Sequence, residues 1–451
     1  VEERETARKK FKALQPPFYA KNIFTTGLTY TQSVFLMRSI LQRKDSVGLN
    51  DFRNAYYRII EDDQIESIFP RAKYNPSSGM YNLYLKVKKE KRFKARIGGN
   101  VSSGNLNMVH LGIEHKVLGR NSLSLYANSY FGRYYSSLLA NVRARFYTES
   151  PFYTDFSVFA NQYDFYKSSF DLFYNEEHPP YFIQREMAAR MMLVFPSGHT
   201  GKMELGMTGG KISDNYYNAS FFLMTDTADK SVFTFFSPFL RLFYINTNFI
   251  QFPTRGKKTS LTLRFTDFAE DFQPGSLSGG VRKKQNDIYA FDFSLLSERY
   301  INISKYFKTG YLFHLHLSQR PFMSNYYSSL VTSPAYEPFP LAGTLFLEEF
   351  RAPQFVGAGA RFLVCFSDRF HARMEGHYFQ PYRKILSDSN GQPYYGEALA
   401  NYSVAAQAAL VYQAPFGPIS LTGCYFSDHS REFYLVFNIG YLIYNRRAID
   451  W

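Results

Sequence analysis

The sequence predicts a mainly β protein: a transmembrane antiparallel β-barrel of about 16 strands, preceded by a small α+β domain of order β-α-α-β-β. Three observations carry this. Aromatics make up 19 % of 451 residues, with 46 Phe and 37 Tyr against one Trp. Mean hydropathy is nevertheless −0.30, and no run approaches the roughly 18 apolar residues that a spanning helix needs. The nearest, Val232 to Ile245, is broken by Ser237, Pro238 and Arg241. Thirdly, side-chain character alternates with a strict period of two along most of the chain. From Phe433 the odd positions are Phe433, Leu435, Phe437, Ile439, Tyr441 and Ile443, interleaved with Tyr434, Val436, Asn438, Gly440, Leu442 and Tyr444. A strand with a continuously apolar face would aggregate in water but is at home against lipid. Hydrocarbon admits no open sheet edge, so the last strand must close on the first.

Residues 1–19 read as a linker helix. Glu2, Glu3 and Glu5 precede Arg8, Lys9 and Lys10, the order that suits the helix dipole, and Pro16-Pro17 ends it. The chain starts at Val1 with neither initiator Met nor signal peptide, which an outer-membrane protein requires, and so reads as processed or trimmed.

Residues 20–90 form the α+β domain. Asn22 to Leu28 is a short strand closing at Gly27. Thr31 or Gln32 opens a helix with Val34, Phe35, Met37, Ile40 and Leu41 at helical spacing, broken by Gly48. A second helix runs through Phe52, Ala55, Tyr56, Ile59 and Ile60, with Asn50 or Asp51 as cap. Strands Ile65–Tyr74 and Met80–Lys88 follow, joined by Asn75-Pro76-Ser77-Ser78-Gly79.

Residues 91–451 form the barrel. Arg92 to Val101 is its first strand and Leu106 to Leu118 its second. Further on, Met187, Met191 and Leu193 face away from Glu186, Arg190 and Met192, and Leu261, Leu263 and Phe265 oppose Thr262, Arg264 and Thr266. At about 22 residues per strand and turn, this length holds about 16 strands, and even numbers are the rule. Raw segment counting gives about 18; Phe165–Tyr174 and Tyr216–Met224 are read as extensions of long strands into extracellular loops. Long loops are expected at Glu270–Gln285, Ser318–Thr344 and Ser387–Ala398.

The formal charge of +14 is scattered over strand positions and turns rather than gathered in one patch. It argues for acidic lipid head groups and against nucleic acid as partner. Cys365 and Cys424 lie in separate strands and read as two packed thiols; a disulfide cannot be deduced. His314 and His316 share a face, as two metal ligands would, but without an evident third, so solvated lumen residues is the reading held and no metal or cofactor is expected. Arg373, Glu375 and His377 also share a face, opposite Ala372, Met374 and Tyr378, and are expected in the lumen.

Several stretches resemble a known superfamily. Strand, helix, helix, strand, strand directly before a barrel looks like a POTRA domain. Gly98-Gly99-Asn100-Val101-Ser102-Ser103, Leu111-Gly112 and Leu118-Gly119 resemble the first barrel hairpin of the POTRA-plus-β-barrel outer-membrane superfamily (bacterial surface antigen, or barrel-assembly, type). Phe252-Pro253-Thr254-Arg255-Gly256 is similar to its periplasmic Pro-Thr-x-Gly turn. Pro415-Phe416-Gly417-Pro418 and Phe437-Asn438-Ile439-Gly440 are similar to its last turn and closing strand. Arg373-x-Glu375-x-x-Tyr378-x-x-Pro381 and Gly440-Tyr441-x-x-Tyr444-Asn445-Arg446-Arg447 resemble the C-terminal half of patatin-like phospholipases of type Vd autotransporter architecture. In those proteins a lipase domain precedes the POTRA. The likeness implies a Gram-negative outer membrane, a periplasmic N-terminal domain, and a sheet edge that binds clients or an upstream passenger by strand addition.

The resemblance also implies a pair between a loop arginine and an acidic lumen residue, here Arg351 with Glu375, pinning the long loop inside the barrel. Separate lumen charges in water networks are the competing reading, and Glu348 and Glu349 are rival partners for Arg351. Two family features are absent from the sequence. There is no Gly-x-Ser-x-Gly nucleophile elbow; Gly275 to Gly279 has the glycine spacing but Leu277 at its centre. The superfamily's Val-Arg-Gly-Phe/Tyr loop tip has no counterpart, which weighs against a barrel-assembly role.

The expected function is therefore a module that anchors, and translocates or positions, an upstream patatin-like lipase. An insertase or secretion pore for other proteins is the alternative, and a passive porin the second. Catalysis by these residues themselves is left undecided.

Overall fold

The computed structural model describes residues 4–5, 16–41, 44–60, 64–104, 106–119, 121–146, 152–165, 181–197, 200–217, 225–278, 282–429 and 432–449. Most of the expected linker helix lies outside them, as do residues 166–174 and 218–224 of the two expected strand extensions. The chain forms two compact units, one of residues 1–94 with 113–126 and 142–154, the other of the remainder.

In the N-terminal domain, β1 (Tyr19–Thr26) is followed by α1 (Tyr30–Leu41), β2 (Val47–Gly48), α2 (Leu49–Ile60), β3 (Ile65–Asn75) and β4 (Met80–Lys89). The sheet order is β2-β1-β4-β3. Strand β1 runs parallel to β4, and β3 pairs antiparallel with it through the expected turn, where Gly79 takes φ +64°. The helices bury Leu36, Ile40, Ala55 and Ile59 against Ile23, Leu83 and Leu85. The two-residue β2 was not expected; Gly48, read as a helix breaker, pairs with Tyr19 at the sheet edge. The opposite edge is the 11-residue β3.

The barrel strands are β5 (Phe93–Ser102), β6 (Met108–Leu118), β7 (Ser122–Gly132), β8 (Tyr135–Phe146), β9 (Phe152–Phe165), β10 (Phe182–Ser197), β11 (Gly201–Tyr216) and β12 (Asp229–Ile245). They continue as β13 (Gly256–Gln273), β14 (Lys283–Asn302), β15 (Phe307–Gln319), β16 (Gln354–Cys365) and β17 (Phe370–Pro381). After a small hairpin, β18 (Ile385–Ser387) with β19 (Pro393–Tyr395), come β20 (Ser403–Ala414), β21 (Gly417–Phe426) and β22 (Phe433–Gly440). The 16 strands close antiparallel into one ring, in which β22 meets β5.

Alternation decides what each strand shows. On β10, Met187 and Met191 are 67 % and 49 % exposed, while Glu186 and Arg190 are buried. On β22, Phe433, Leu435 and Phe437 face out, while Tyr434, Val436 and Asn438 are buried inside. A barrel that aims Met, Leu and Phe outward and Glu, Arg and Asn inward is built for hydrocarbon outside and polar filling within.

Two expected loops change shape. The expected Glu270–Gln285 loop shortens because β13 and β14 pair onward to Phe272↔Lys283. The Ser387–Ala398 loop carries the β18–β19 hairpin. Cys365 and Cys424 are buried free thiols.

Replacing Met191, halfway along β10, with Arg should cost about 2–4 kcal/mol of folding free energy in a bilayer, and Met191→Leu under about 1.5. Equilibrium unfolding from lipid vesicles measures both. An Arg tolerated without cost would mean that this face does not meet acyl chains.

Candidate functional site

Among the described residues, the barrel interior is filled by three pieces of chain: the connection between β15 and β16, the turn between β12 and β13, and the C-terminal tail. The first, residues 320–353, folds inward because it is apolar. Phe339, Leu341, Phe346, Leu347 and Phe350 are buried in one cluster with Phe355, Phe379 and Phe426 of the wall. Its entry is fixed by Arg320, which bonds Asp292 at 2.9 Å. Glu270 then accepts from both the N–H and the hydroxyl of Ser324, each at 2.9 Å. A capping box, Asn325 with Ser328, starts the short helix α3 (Tyr326–Val331). The loop doubles back on itself at an Ala335↔Arg351 bridge, and Tyr336 N donates to Phe350 O at 2.8 Å. Two glycines of β16 make room for it and for His377 of β17, which it contacts. A Cβ on Gly357 would stand 2.2 Å from the Tyr336 ring, and one on Gly359 2.0 Å from His377.

Below this loop lies a buried charge cluster on β14, β16 and β17. Glu375 receives Arg361 Nε at 2.9 Å and Arg373 Nε at 2.5 Å, and shares hydrogen bonds with His377 at 3.2 Å. Arg361 also bonds Glu298 at 2.5 Å and the Tyr300 hydroxyl at 2.8 Å. Its last nitrogen donates to Pro338 O of the loop at 3.0 Å. His377 Nδ1 shares a 3.1 Å bond with the Tyr336 hydroxyl. Two loop contacts thus converge on one carboxylate, and pairing of every charge is what makes such burial tolerable.

The structure brings Arg373, Glu375 and His377 together as the strand pattern implied. It does not bring Arg351 to Glu375. Arg351 emerges from the loop's own bridge and donates to Val331 O at 3.2 Å and Ser333 O at 3.0 Å, its guanidinium 4.5 Å from the Phe346 ring centre. Burial lowers its pKa to about 10, which leaves it a cation at neutral pH. The partner on Glu375 is Arg361, directly opposite in the β16–β17 register. Arg361, Glu298 and Tyr300 were missed by sequence reasoning; continuing the alternation of β16 from Phe355 through Gly357 and Gly359 would have put Arg361 in the lumen. A cavity of about 480 Å³ beneath the loop is bordered by Arg351, Arg361, Arg373 and Arg447 with Glu337 and Glu375.

His314 shares a 3.1 Å bond with Ser294, and His316 faces Asp292 at 3.4 Å. Among the described residues no group of three or more His, Cys, Asp or Glu is placed to hold a metal ion.

The barrel's closing seam is the remaining feature. Among the described residues, strand β22 pairs with β5 through Asn438↔Ser102, Ile439↔Val101 and Gly440↔Asn100, with Ser103 N donating to Phe437 O at 2.9 Å just beyond them, whereas its other edge makes seven pairs with β21. At Gly440 the chain takes φ +103°, and a Cβ there would lie 2.3 Å from Gly99 O. Only glycine turns away so close to the neighbouring strand. Residues 95–99 of β5 have no β22 partner and are exposed.

No family model matches this sequence, and no curated protein matches it either. Solved structures do. BamA of Haemophilus ducreyi lacking POTRA domains 1–3 is 13 % identical, with 94 % of this chain and 84 % of that chain covered and a TM-score of 0.61. CdiB of Acinetobacter baumannii is 10 % identical, with 94 % of this chain and 74 % of that chain covered and a TM-score of 0.53. CdiB of Escherichia coli is 12 % identical over 94 % and 76 %, at 0.52. At these identities the likeness is one of fold. It is the fold of a 16-stranded outer-membrane barrel, and the lipid-facing belt agrees: this is an outer-membrane protein of the Gram-negative type.

A double-mutant cycle should find a coupling of about 1–3 kcal/mol between Arg361 and Glu375 and close to zero between Arg351 and Glu375. Glu375→Ala alone should destabilise by about 3–5 kcal/mol, since it takes from the buried Arg373 its carboxylate and leaves Arg361 with Glu298 alone. Unfolding from vesicles reads all of these, and coupling carried by Arg351 instead would overturn the assignment.

Proposed function

We propose that this chain is a polypeptide-handling module of the outer membrane: the N-terminal domain holds an extended client on its β3 edge, and the barrel admits that client at the β5–β22 seam. The observation that carries this reading is the seam itself. Three register pairs close a sheet whose β11–β12 pair makes 16, so parting the ring there breaks far fewer hydrogen bonds than parting it at β11–β12. The stretch of β5 that lies beyond the β22 register offers an edge to an incoming strand. BamA, an insertase, and CdiB, a secretion pore, share the fold, which supports a role in moving protein. The buried loop and charge cluster argue against a passive porin, whose lumen is a water-filled channel.

For the client we infer a passenger on the same polypeptide, a patatin-like lipase domain upstream of Val1. The support is the likeness around Arg373-x-Glu375 and the C-terminal Tyr444-Asn445-Arg446-Arg447 described above. On that reading the lumen charges hold the barrel rigid, and the catalytic groups belong to the passenger.

Cysteines at Ser102 and Asn438, opposite each other in the seam register, can be joined or freed by redox treatment, the native thiols being buried. Oxidation should cut delivery of the client to the cell surface about ten-fold or more, read by protease accessibility on intact cells, and reduction should restore it. Undiminished delivery through a locked seam would refute the reading. The lipase assignment is checked separately: the full polypeptide should release fatty acid from phospholipid, and residues 1–451 should not.

A further inference from the structure

The last described residues do not finish the barrel; they go inside it. Residues 441–447 belong to no strand, so their peptide groups lack ladder partners and must be satisfied otherwise. They are satisfied by side chains of the wall and of the β12–β13 turn. Gln251, on the turn between β12 and β13, donates to Leu442 O at 2.8 Å and accepts from Leu442 N at 3.1 Å. Asn445 N donates to the Tyr135 hydroxyl at 2.9 Å, and Asn161 Nδ2 donates to Arg446 O at 3.3 Å. Arg190 donates to Arg447 O and, at 3.4 Å, to Ala448 O, while Ala448 N donates to Glu186 at 2.9 Å. Every one of these grips backbone, so the wall's hold on it is independent of sequence.

Sequence is read by a second set of contacts. Tyr444 enters a cage of Tyr134, Tyr135 and Tyr163, with ring centres 4.8–6.5 Å away. The Asn445 amide exchanges hydrogen bonds with Asn128 at 3.0 and 2.9 Å. Arg446 forks onto Glu204 at 3.1 and 3.3 Å, and Arg447 lies 4.7 Å from the Tyr163 ring centre. Ala448 and Ile449 join an apolar cluster with Phe159, Ile212 and Phe233.

We propose that the inner wall of β7–β11 is a binding track for an extended polypeptide carrying a tyrosine followed by paired arginines, and that the C-terminal tail is its resident, displaceable occupant. Without the tail, Glu186, Glu204 and Arg190 lose partners in a buried setting, so the vacated wall favours a replacement of the same pattern over none. The inference deepens the polypeptide-handling reading by placing a client-recognition site in the lumen, and rests on it for the identity of the competitor as a client segment.

The test uses a labelled synthetic peptide with the sequence of residues 440–449 and the chain ended after Gly440, refolded into lipid and checked by heat-modifiable mobility. The ended chain should bind the peptide saturably and the full chain should not. Reversing both arginines in the peptide should weaken binding about ten-fold or more. A folded, ended chain that ignores the peptide, or takes the charge-reversed one equally well, overturns the proposal.

Should the ended chain not fold, the full chain decides. Glu204→Arg, facing Arg446 and Arg241, should expel the tail and raise single-channel conductance in planar bilayers several-fold, and Arg446→Glu in the same chain should bring it back. No rise, or no return, overturns it. A seam lock that spares client delivery would end the polypeptide-handling reading alone, because the peptide titration is read on the isolated barrel.

Discussion

Hydrocarbon gives a peptide N–H or C=O no partner except another peptide group, so a sheet in a membrane has to close on itself. In this molecule that obligation falls on Asn438, Ile439 and Gly440 against Ser102, Val101 and Asn100. The rest of the architecture follows from closure achieved so sparingly. Gly440 turns the chain off the sheet edge, residues beyond it must find partners in the lumen, and the lumen supplies them from side chains on β7 to β11 and from Gln251 of the β12–β13 turn. A longer β22 would have sealed the wall and left nothing to fill the interior from that side.

The interior is accordingly a second core, and it is unlike the outside belt in how it is held. Outside, single Met, Leu and Phe side chains meet lipid and owe their places to alternation alone. Inside, the loop between β15 and β16 packs a dense aromatic cluster above a charge network that centres on Glu375. The two layers meet where Pro338 O takes the last nitrogen of Arg361 and Tyr336 meets His377. Gly357 and Gly359 leave the space that this meeting needs. Loop, charge cluster and tail border a cavity of about 480 Å³ inside the barrel.

Period-two alternation was legible throughout, because it reports a single physical fact at each residue, lipid or lumen. It yielded the closing strand from Phe433 and the shared face of Arg373, Glu375 and His377; the count of about 16, which the ring of 16 strands matches, came from chain length, where counting segments by pattern gave about 18. What alternation cannot report is which lumen residue reaches which. That depends on register across strands far apart in sequence, and so Arg351 was paired with Glu375 when Arg361 stands opposite it. The tail shows the same limit. Tyr441 and Ile443 continue the apolar pattern of Phe437 and Ile439, yet the chain has already left the sheet at Gly440, and one glycine outweighs the pattern. The two-residue β2 escaped because nothing that short has a period.

The most direct measurement of the seam is amide hydrogen exchange on the protein in lipid bilayers. Residues 433–440 of β22 and 95–102 of β5 should exchange markedly faster than the paired centres of β11, β12 and β13, because local opening is cheapest where fewest pairs hold. Equal protection around the whole ring would contradict the account, since a seam as strong as its neighbours offers a polypeptide no way in.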